Sequence, residues 1–404
     1  MKRYIINIIR EIIHFFMKKI ADRKLCKASK KQKYGDKIKV GFIVQMPEIW
    51  DKEAPVFEAM TTNELFDPYL IVVPAFDFVN WRIGEYGEEY RYFSDKYKPD
   101  FIIIAWNDGW LNLEEEHFDY IFYQRPWEQY LPRKYHAYKV IRYAKTCYIP
   151  YCYHALSDRK IYYETSFFRN LYLLFCCSQE QLKSQENNKY KIGIFLGFPV
   201  LEQINLQVQK NFESHNSKKF TVLWTPRWTD DKEYGGTTFF RYMNRILEIK
   251  SRYPDINLLL RPHPFTFANA IKTRKLTELE INEYKRFAEN CGAKFDSNEF
   301  INNTFKITDI LITDFSSIII EYFLYGNPII YCSNVELNFS KTYKNIIDCT
   351  YVAKNWKEVI LYIEEIKMGN DFLKPKRKRL IREITASHID SSSKIIEYIE
   401  KNIN

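Results

Sequence analysis

Short apolar runs recur along this chain, each followed by polar turn residues and then by a segment whose apolar positions fall at helical spacing. From Ile38 onward the runs Val40 to Val44, Tyr69 to Val73, Phe101 to Ala105, Tyr120 to Tyr123, Cys147 to Tyr151 and Leu173 to Cys177 alternate with amphipathic or polar stretches. Such alternation predicts βα units around a parallel sheet. A second series opens at Phe220 to Trp224 and continues at Ile256 to Leu260, Ile310 to Ile312 and Ile329 to Tyr331. Between the two lies polar sequence from Gln203 to Lys219, in which Ser214-His215-Asn216-Ser217 reads as linker. The pattern predicts an α/β protein of two Rossmann-like domains facing each other across a cleft, over residues 36–205 and 218–404, after a separate segment 1–35. No Gly-x-Gly-x-x-Gly occurs, so a nicotinamide or flavin enzyme lacks its usual signature.

The first segment has its own pattern. Ile5, Ile8, Ile9, Ile12, Ile13, Phe16 and Ile20 recur at spacings of three and four, with Arg3, Asn7, Arg10, Glu11 and Lys18 on other faces. Arg10 and Glu11 interrupt the apolar run too early for a membrane span or a signal peptide. Lys24, Lys27, Lys30, Lys31 and Lys33 follow as a basic tract. An amphipathic helix with such a tract suits an anionic membrane surface, at roughly 1 kcal/mol per charge. The other reading is a helix packed on the protein's own body with a Lys-rich linker behind it.

Composition narrows the classes. A length of 404 residues exceeds one ordinary core and agrees with two domains. Sixty Lys+Arg against 51 Asp+Glu give +9, which suits an anionic surface or substrate. No zinc knuckle, recognition helix or RNA-binding aromatic motif is present, so nucleic acid is not an expected partner. The eight cysteines show no Cys-x-x-Cys spacing and several lie in apolar runs, which predicts reduced thiols in a cytoplasmic protein and no metal site.

Chemistry concentrates at two strand ends. Leu258-Leu259-Leu260-Arg261-Pro262-His263-Pro264 ends a buried run in a cation and an imidazole, and prolines on both sides of His263 exclude helix there. The run Ile310 to Ile312 ends in Thr313-Asp314-Phe315-Ser316-Ser317, then an apolar-periodic segment to Tyr325 stopped by Gly326-Asn327-Pro328. A strand, polar turn and helix in that order place hydroxyls and free backbone N–H groups where a phosphate is favoured. Plain N-capping by Ser316 or Asp314 explains the same residues without a ligand.

Together these motifs resemble the CDP-glycerol glycerophosphotransferase family of teichoic-acid and capsule enzymes. Gly197-Phe198-Pro199, Val222-Leu223-Trp224-Thr225-Pro226-Arg227-Trp228-Thr229-Asp230 and Asn327-Pro328-Ile329-Ile330-Tyr331 look like the same family in the same order. The resemblance covers roughly residues 120 to 335. It implies a GT-B fold, and with the amphipathic basic segment it gives an enzyme expected to be peripheral at the inner face of the cell membrane. The implied reaction moves a polyol phosphate from a CDP-polyol donor to a hydroxyl of a lipid-linked or polymeric glycan, releasing CMP, with no bound metal or cofactor. Arg261, His263, Asp314, Ser316, Ser317 and Arg227 are then the candidates for the donor diphosphate and nucleotide, with a surface role as the alternative for Arg227.

A His in a Trp-His-Gly-Thr turn commonly acts in that family, and Tyr153-His154-Ala155-Leu156 is the nearest counterpart here, without the Gly and the Thr. His154 is thus a candidate base beside His263, and a structural histidine otherwise. In Gln124-Arg125-Pro126-Trp127-Glu128-Gln129-Tyr130-Leu131-Pro132, Trp127 is a candidate to stack on an acceptor and Glu128 an alternative base, unless the loop only packs. Two other functions fit the same pattern. One is a nucleotide-sugar glycosyltransferase or epimerase of the same shape, and the other a membrane-bound scaffold without turnover.

Overall fold

A computed structural model describes residues 36–77, 80–157, 163–186, 192–210, 219–232, 235–332 and 335–402, together with Phe16. Apart from Phe16, the expected amphipathic helix and basic tract lie outside the described residues, as does the Ser214 to Ser217 linker. The chain forms two compact units. The first runs to Cys152, resumes through Glu202 and includes the C-terminal stretch from His388, while the second holds Tyr153–Asp158 and Gln203–Ser387.

In the first unit the strands are β1 (Ile38–Val44), β2 (Phe66–Val72), β3 (Phe76–Asp77), β4 (Arg82–Ile83), β5 (Ile102–Ile104), β6 (Tyr120–Tyr123), β7 (Lys145–Tyr148), β8 (Leu173–Phe175) and β9 (Gly193–Ile194). Seven of them form one sheet in the order β5-β2-β1-β6-β7-β8-β9 with every pairing parallel, and β3 and β4 make a separate antiparallel hairpin. Both faces of the sheet are covered, which is why its strands read as continuous apolar runs. One face packs Ile43, Ile71, Ile121, Tyr123, Tyr148 and Leu174 into a core cluster. On the other, Phe42 stacks on Phe122 at 4.6 Å and meets Trp50 edge-on at 6.0 Å.

The second unit has β10 (Thr221–Thr225), β11 (Asn257–Leu260), β12 (Lys294–Phe295), β13 (Ile310–Thr313), β14 (Ile329–Tyr331) and β15 (Tyr351–Val352). Their order is β12-β11-β10-β13-β14-β15, again all parallel. This is the doubly wound Rossmann arrangement, with its reversal between β10 and β13. The strong apolar runs all became strands, whereas the two-residue strands β3, β4, β9, β12 and β15 carry too little pattern to be expected.

Both units set the register of their central strands in the same way. Asp119, just before β6, accepts Lys39 N at 2.9 Å, and its own N–H donates to Lys39 O at 2.8 Å. Asp309, just before β13, accepts Thr221 N at 2.7 Å and donates to Thr221 O at 2.9 Å. In each case a carboxylate closes the first rung between the two innermost strands, leaving no N–H there without an acceptor. Among the described residues no helix is long and apolar enough to cross a membrane. All described cysteines are free thiols, five of them buried.

The helix Ser391–Lys401 returns to the first unit, where Asn63 Nδ2 donates to Glu400 Oε1 at 2.8 Å and the rings of Phe175 and Tyr398 meet at 6.4 Å. Its entry is built on the Gly197-Phe198-Pro199 turn. Gly197 has φ +99°, and a Cβ there would stand 2.1 Å from Ser391 Oγ. Phe198 N donates to His388 Nδ1 at 2.9 Å, and Glu202 Oε2 accepts Ser392 N at 3.1 Å. His388 is buried, and burial pushes its pKa down to about 4.

Below about pH 6.5 an unfolded histidine takes up a proton that this native site refuses until about 4. The contribution of His388 to stability is therefore full above pH 6.5 and is lost as pH falls through that window. His388→Asn keeps an acceptor for Phe198 N–H and removes the titration. Urea unfolding between pH 7 and pH 4 is expected to show a shallower loss of stability in this variant, by up to about 3 kcal/mol. An unchanged slope would place the acid sensitivity elsewhere.

Candidate functional site

At the point where strand order reverses, the chain leaves β10 and β13 on opposite sides, and their carboxyl ends are where a doubly wound sheet takes its ligand. The buried residues Thr225 and Thr313 close these two strands, with their hydroxyls 2.9 Å apart. Beyond them lie Arg227 on one side and Asp314-Phe315-Ser316-Ser317 on the other.

Asp314 is buried and accepts four hydrogen bonds. The donors are Arg227 N at 3.1 Å, Thr237 Oγ1 at 3.1 Å, Thr238 N at 2.9 Å and Thr238 Oγ1. Burial pushes its pKa up, and the bonds from Thr238, Arg227 and Thr237 oppose that shift. The carboxylate is therefore the anchor of the loop after β10, and its oxygens face protein donors. Two glycines let that loop lie flat against the turn. Gly235 has φ +96° and Gly236 φ +58°, and a Cβ on Gly235 would stand 2.6 Å from Phe315 Cδ1.

This Gly235-Gly236-Thr237-Thr238 segment is the part of the site that the sequence reading missed. Its signal was available as a glycine pair followed by two hydroxyl residues just before the apolar Phe239-Phe240.

Arg227 is half-buried. Its guanidinium lies 4.6 Å over the Phe315 ring and Nη1 donates to Phe315 O at 2.9 Å. Ser316 and Ser317 are half-buried at the start of the helix Ile318–Phe323. Ser316 O accepts from Tyr343 Oη, while the Ser317 side chain caps nothing.

His263 follows β11. Its Nδ1 accepts Phe265 N at 3.1 Å, which puts the proton of the neutral ring on Nε2. Crowding around the ring, and then the charge of Arg227, disfavour imidazolium and push the pKa down to about 4, although the residue's outer surface is open to solvent. The structure thus brings together Arg227, His263 and the Phe315-Ser316-Ser317 turn.

Arg261 is turned elsewhere. Its Nη1 pairs with Asp296 Oδ2 at 2.6 Å and reaches Asn298 O at 2.6 Å, and Nη2 reaches Glu299 O at 3.2 Å. Asp296 is also held by Thr304 Oγ1 at 2.5 Å. The guanidinium straps the loop after β12.

His154 belongs to the second unit, in the short stretch Tyr153–Asp158. The residues after it pair with 338–340 through Ser340 N to Ala155 O at 2.8 Å and Ser157 N to Asn338 O at 2.9 Å. Phe339 in turn meets the Phe315 ring at 5.7 Å. One residue therefore separates His154 from a segment that packs on the Phe315 turn. Trp127 and Glu128 lie in the first unit, after β6. Glu128 Oε1 accepts Ala137 N at 2.7 Å, and burial pushes its carboxyl up to about 7.

Comparison with known proteins bears on the same residues. Residues 202–401 match the family described as CDP-Glycerol:Poly(glycerophosphate) glycerophosphotransferase. A teichoic acid poly(glycerol phosphate) polymerase of Bacillus spizizenii is 25% identical over 166 residues, which are 35% of this chain and 38% of that protein. The match thus spans well under half the length of that relative. Among solved structures, wall teichoic acid polymerase TagF is similar with TM-score 0.53 at 12% identity, covering 99% of this chain and 97% of that one. UDP-GlcNAc 2-epimerase from Neisseria meningitidis has TM-score 0.56 at 13% identity, covering 90% and 100%. S. aureus MnaA with UDP has TM-score 0.55 at 13% identity, covering 90% and 96%.

At these identities the solved structures show the fold, which is of the two-domain GT-B type. The family match reaches further. It takes in nearly all of the second unit, with the strand end of His263, the Asp314 anchor and the Ser316-Ser317 turn. On that match residues 202–401, just under half of the chain, belong to the CDP-glycerol glycerophosphotransferase family.

Proposed function

We propose that this chain transfers glycerol phosphate, or a similar polyol phosphate, from a CDP-activated donor to a hydroxyl of teichoic acid or another cell-surface glycan, releasing CMP. The observation that carries this reading is the convergence of Arg227, His263 and the Phe315-Ser316-Ser317 turn at the strand reversal of the family-matched unit. A cation, a neutral imidazole donor and paired hydroxyls at one strand edge suit a diphosphate.

In the proposed step an acceptor hydroxyl attacks the distal phosphorus in line, a new P–O bond forms, and the P–O bond to CMP breaks. Arg227 meets the charge on the phosphates. His263 presents Nε2–H to a phosphate oxygen, and a bound anion beside it raises the imidazole pKa from its depressed value, so that it can protonate the departing CMP. His154 takes the proton of the acceptor hydroxyl, with Glu128 the other candidate, and Trp127 stacks on the acceptor. Asp314 and Arg261 are positioning residues, the first holding the glycine loop and the second the loop after β12. Residues 1–33 hold the enzyme to an anionic membrane surface on the cytoplasmic side.

Calorimetric titration with CDP-glycerol, CDP-ribitol and UDP-N-acetylglucosamine is expected to show selective binding of a CDP-polyol, lost in His263→Ala. Preference for the uridine compound would overturn the donor assignment in favour of a nucleotide-sugar enzyme. With the preferred donor, His263→Ala and Ser316→Ala are each expected to cut turnover at least tenfold, about 1.4 kcal/mol or more. Wild-type rates in both would remove them from the site.

For Arg261→Ala the expected effect is structural. Asp296 loses its cation in a nearly buried position, and the unfolding free energy falls by about 2–3 kcal/mol. An unchanged urea midpoint together with lost donor binding would return Arg261 to the ligand. Sedimentation with anionic liposomes is expected for the wild type and not for Ile9→Asp with Ile12→Asp; equal sedimentation would end the membrane assignment.

A further inference from the structure

The first unit also has a strand reversal, between β1 and β6, and the mechanism above leaves its most unusual residue without a task. Arg125 follows β6 and is only 8% exposed. Among the described residues no carboxylate pairs with it. Nη2 donates to Gln45 Oε1, Nη1 rests 2.9 Å from the weak acceptor Met46 Sδ, and buried Nε has no partner. Glu48 and Tyr151 act on it through their fields.

The floor beneath this guanidinium is fixed. Gln124 Oε1 accepts Gln45 N at 2.9 Å and Met46 N at 2.8 Å, and Gln124 Nε2 donates to Met46 O at 2.7 Å. Gln45 Nε2 donates to Pro74 O at 2.6 Å and Tyr130 O at 3.1 Å. One wall is aromatic. The guanidinium lies 4.9 Å over the Tyr130 ring, which packs on Phe76 at 4.7 Å and on Trp81 at 6.3 Å. Trp81, on the β3–β4 hairpin, is 67% exposed and held at φ +53°. A buried cation that meets only an amide, a thioether and a ring is an unstable arrangement until an anion joins it. A large exposed indole beside it offers a face to a polyol or sugar.

We infer that the carboxyl edge of the first unit's sheet is an anion site in which Arg125 binds a phosphodiester of the acceptor while Tyr130 and Trp81 flank the adjoining polyol or sugar. The naming of the ligand as acceptor rests on the proposed transfer reaction; the anion site itself does not. The site selects an acceptor that already carries phosphate, and it acts without the donor.

The test titrates the full chain, without nucleotide, with a soluble oligo(glycerol phosphate), with inorganic phosphate and with uncharged glycerol, and measures CDP-glycerol binding separately. The oligomer is expected to bind, glycerol is not, and inorganic phosphate is expected to compete with the oligomer. Arg125→Gln is expected to weaken the oligomer at least tenfold and Arg125→Lys severalfold, since a lysine cannot reproduce the flat stacked fork. CDP-glycerol affinity is expected to stay unchanged in both.

Equal oligomer affinity in Arg125→Gln would overturn the site, as would absence of oligomer binding in a wild type that binds CDP-glycerol. Should Arg125→Gln lose its fold, the exposed variant Trp81→Ala decides, with a loss of threefold or more supporting the site and no change overturning it. Failure of CDP-glycerol to bind, with the Arg125 effect intact, would defeat the donor reading and leave the anion site standing.

Discussion

One buried carboxylate organises the second unit's ligand edge. Asp314 sits at the end of β13 and draws the backbone of Arg227 and the backbone and hydroxyls of Thr237 and Thr238 onto itself. A charge in that position is tolerated only because its acceptor capacity is filled, and filling it fixes Arg227 and the Gly235 to Thr238 segment against the Phe315 turn. The placement of the Arg227 side chain follows from this. With its backbone pinned by Asp314, its guanidinium has the Phe315 ring and carbonyl within reach, and its charge adds to the crowding that already keeps His263 neutral. The placement of the site's cation is therefore downstream of one hydrogen-bond cluster that touches no substrate in the proposed reaction.

The fold was legible because parallel strands buried on both faces must be apolar throughout, and runs such as Tyr120 to Tyr123 and Ile310 to Ile312 have no other good reading. Asp119 and Asp309 sit immediately before those runs and tie them to β1 and β10, so the same local chemistry repeats in both halves. What pattern cannot show is long-range return. The docking of helix Ser391–Lys401 on the first unit depends on the missing Cβ of Gly197 and on the fit of His388 against Phe198, and neither leaves a periodic trace.

The candidate site was legible in its residue types more than in their contacts. His263, Ser316, Ser317 and Arg227 stand together at the strand edge to which the motifs pointed. Arg261 and Asp314 looked equally suited to a diphosphate, because a cation and a carboxylate beside a strand end carry the same sequence signal whether their partner is ligand or protein. Only the distances to Asp296 and to Thr238 separate these cases. The Gly235-Gly236-Thr237-Thr238 loop was overlooked for the converse reason. Its work is done by backbone shape and by two hydroxyls that report to Asp314, a function invisible without the partner.

Four buried or half-buried arginines differ in what surrounds their charge. Arg261 pairs with Asp296, and Arg377 pairs with Asp371 while its Nε donates to Gly326 O at 2.8 Å; each closes a loop of the second unit. Arg227 and Arg125 have different surroundings. Both lie over an aromatic ring, Phe315 for the one and Tyr130 for the other, and both follow a strand at the reversal point of a parallel sheet. An arginine matched to a carboxylate is electrostatically finished, and its removal is felt as stability. An arginine cushioned on a ring at a ligand edge keeps its field, because a π face lowers the cost of holding the cation without neutralising it. By that criterion each sheet carries a cushioned arginine at its strand reversal, but on opposite sides of it: Arg227 after β10, the counterpart of β1, and Arg125 after β6, the counterpart of β13. The groups around them differ too, a neutral imidazole and hydroxyls beside Arg227, and glutamines with an aromatic wall beside Arg125.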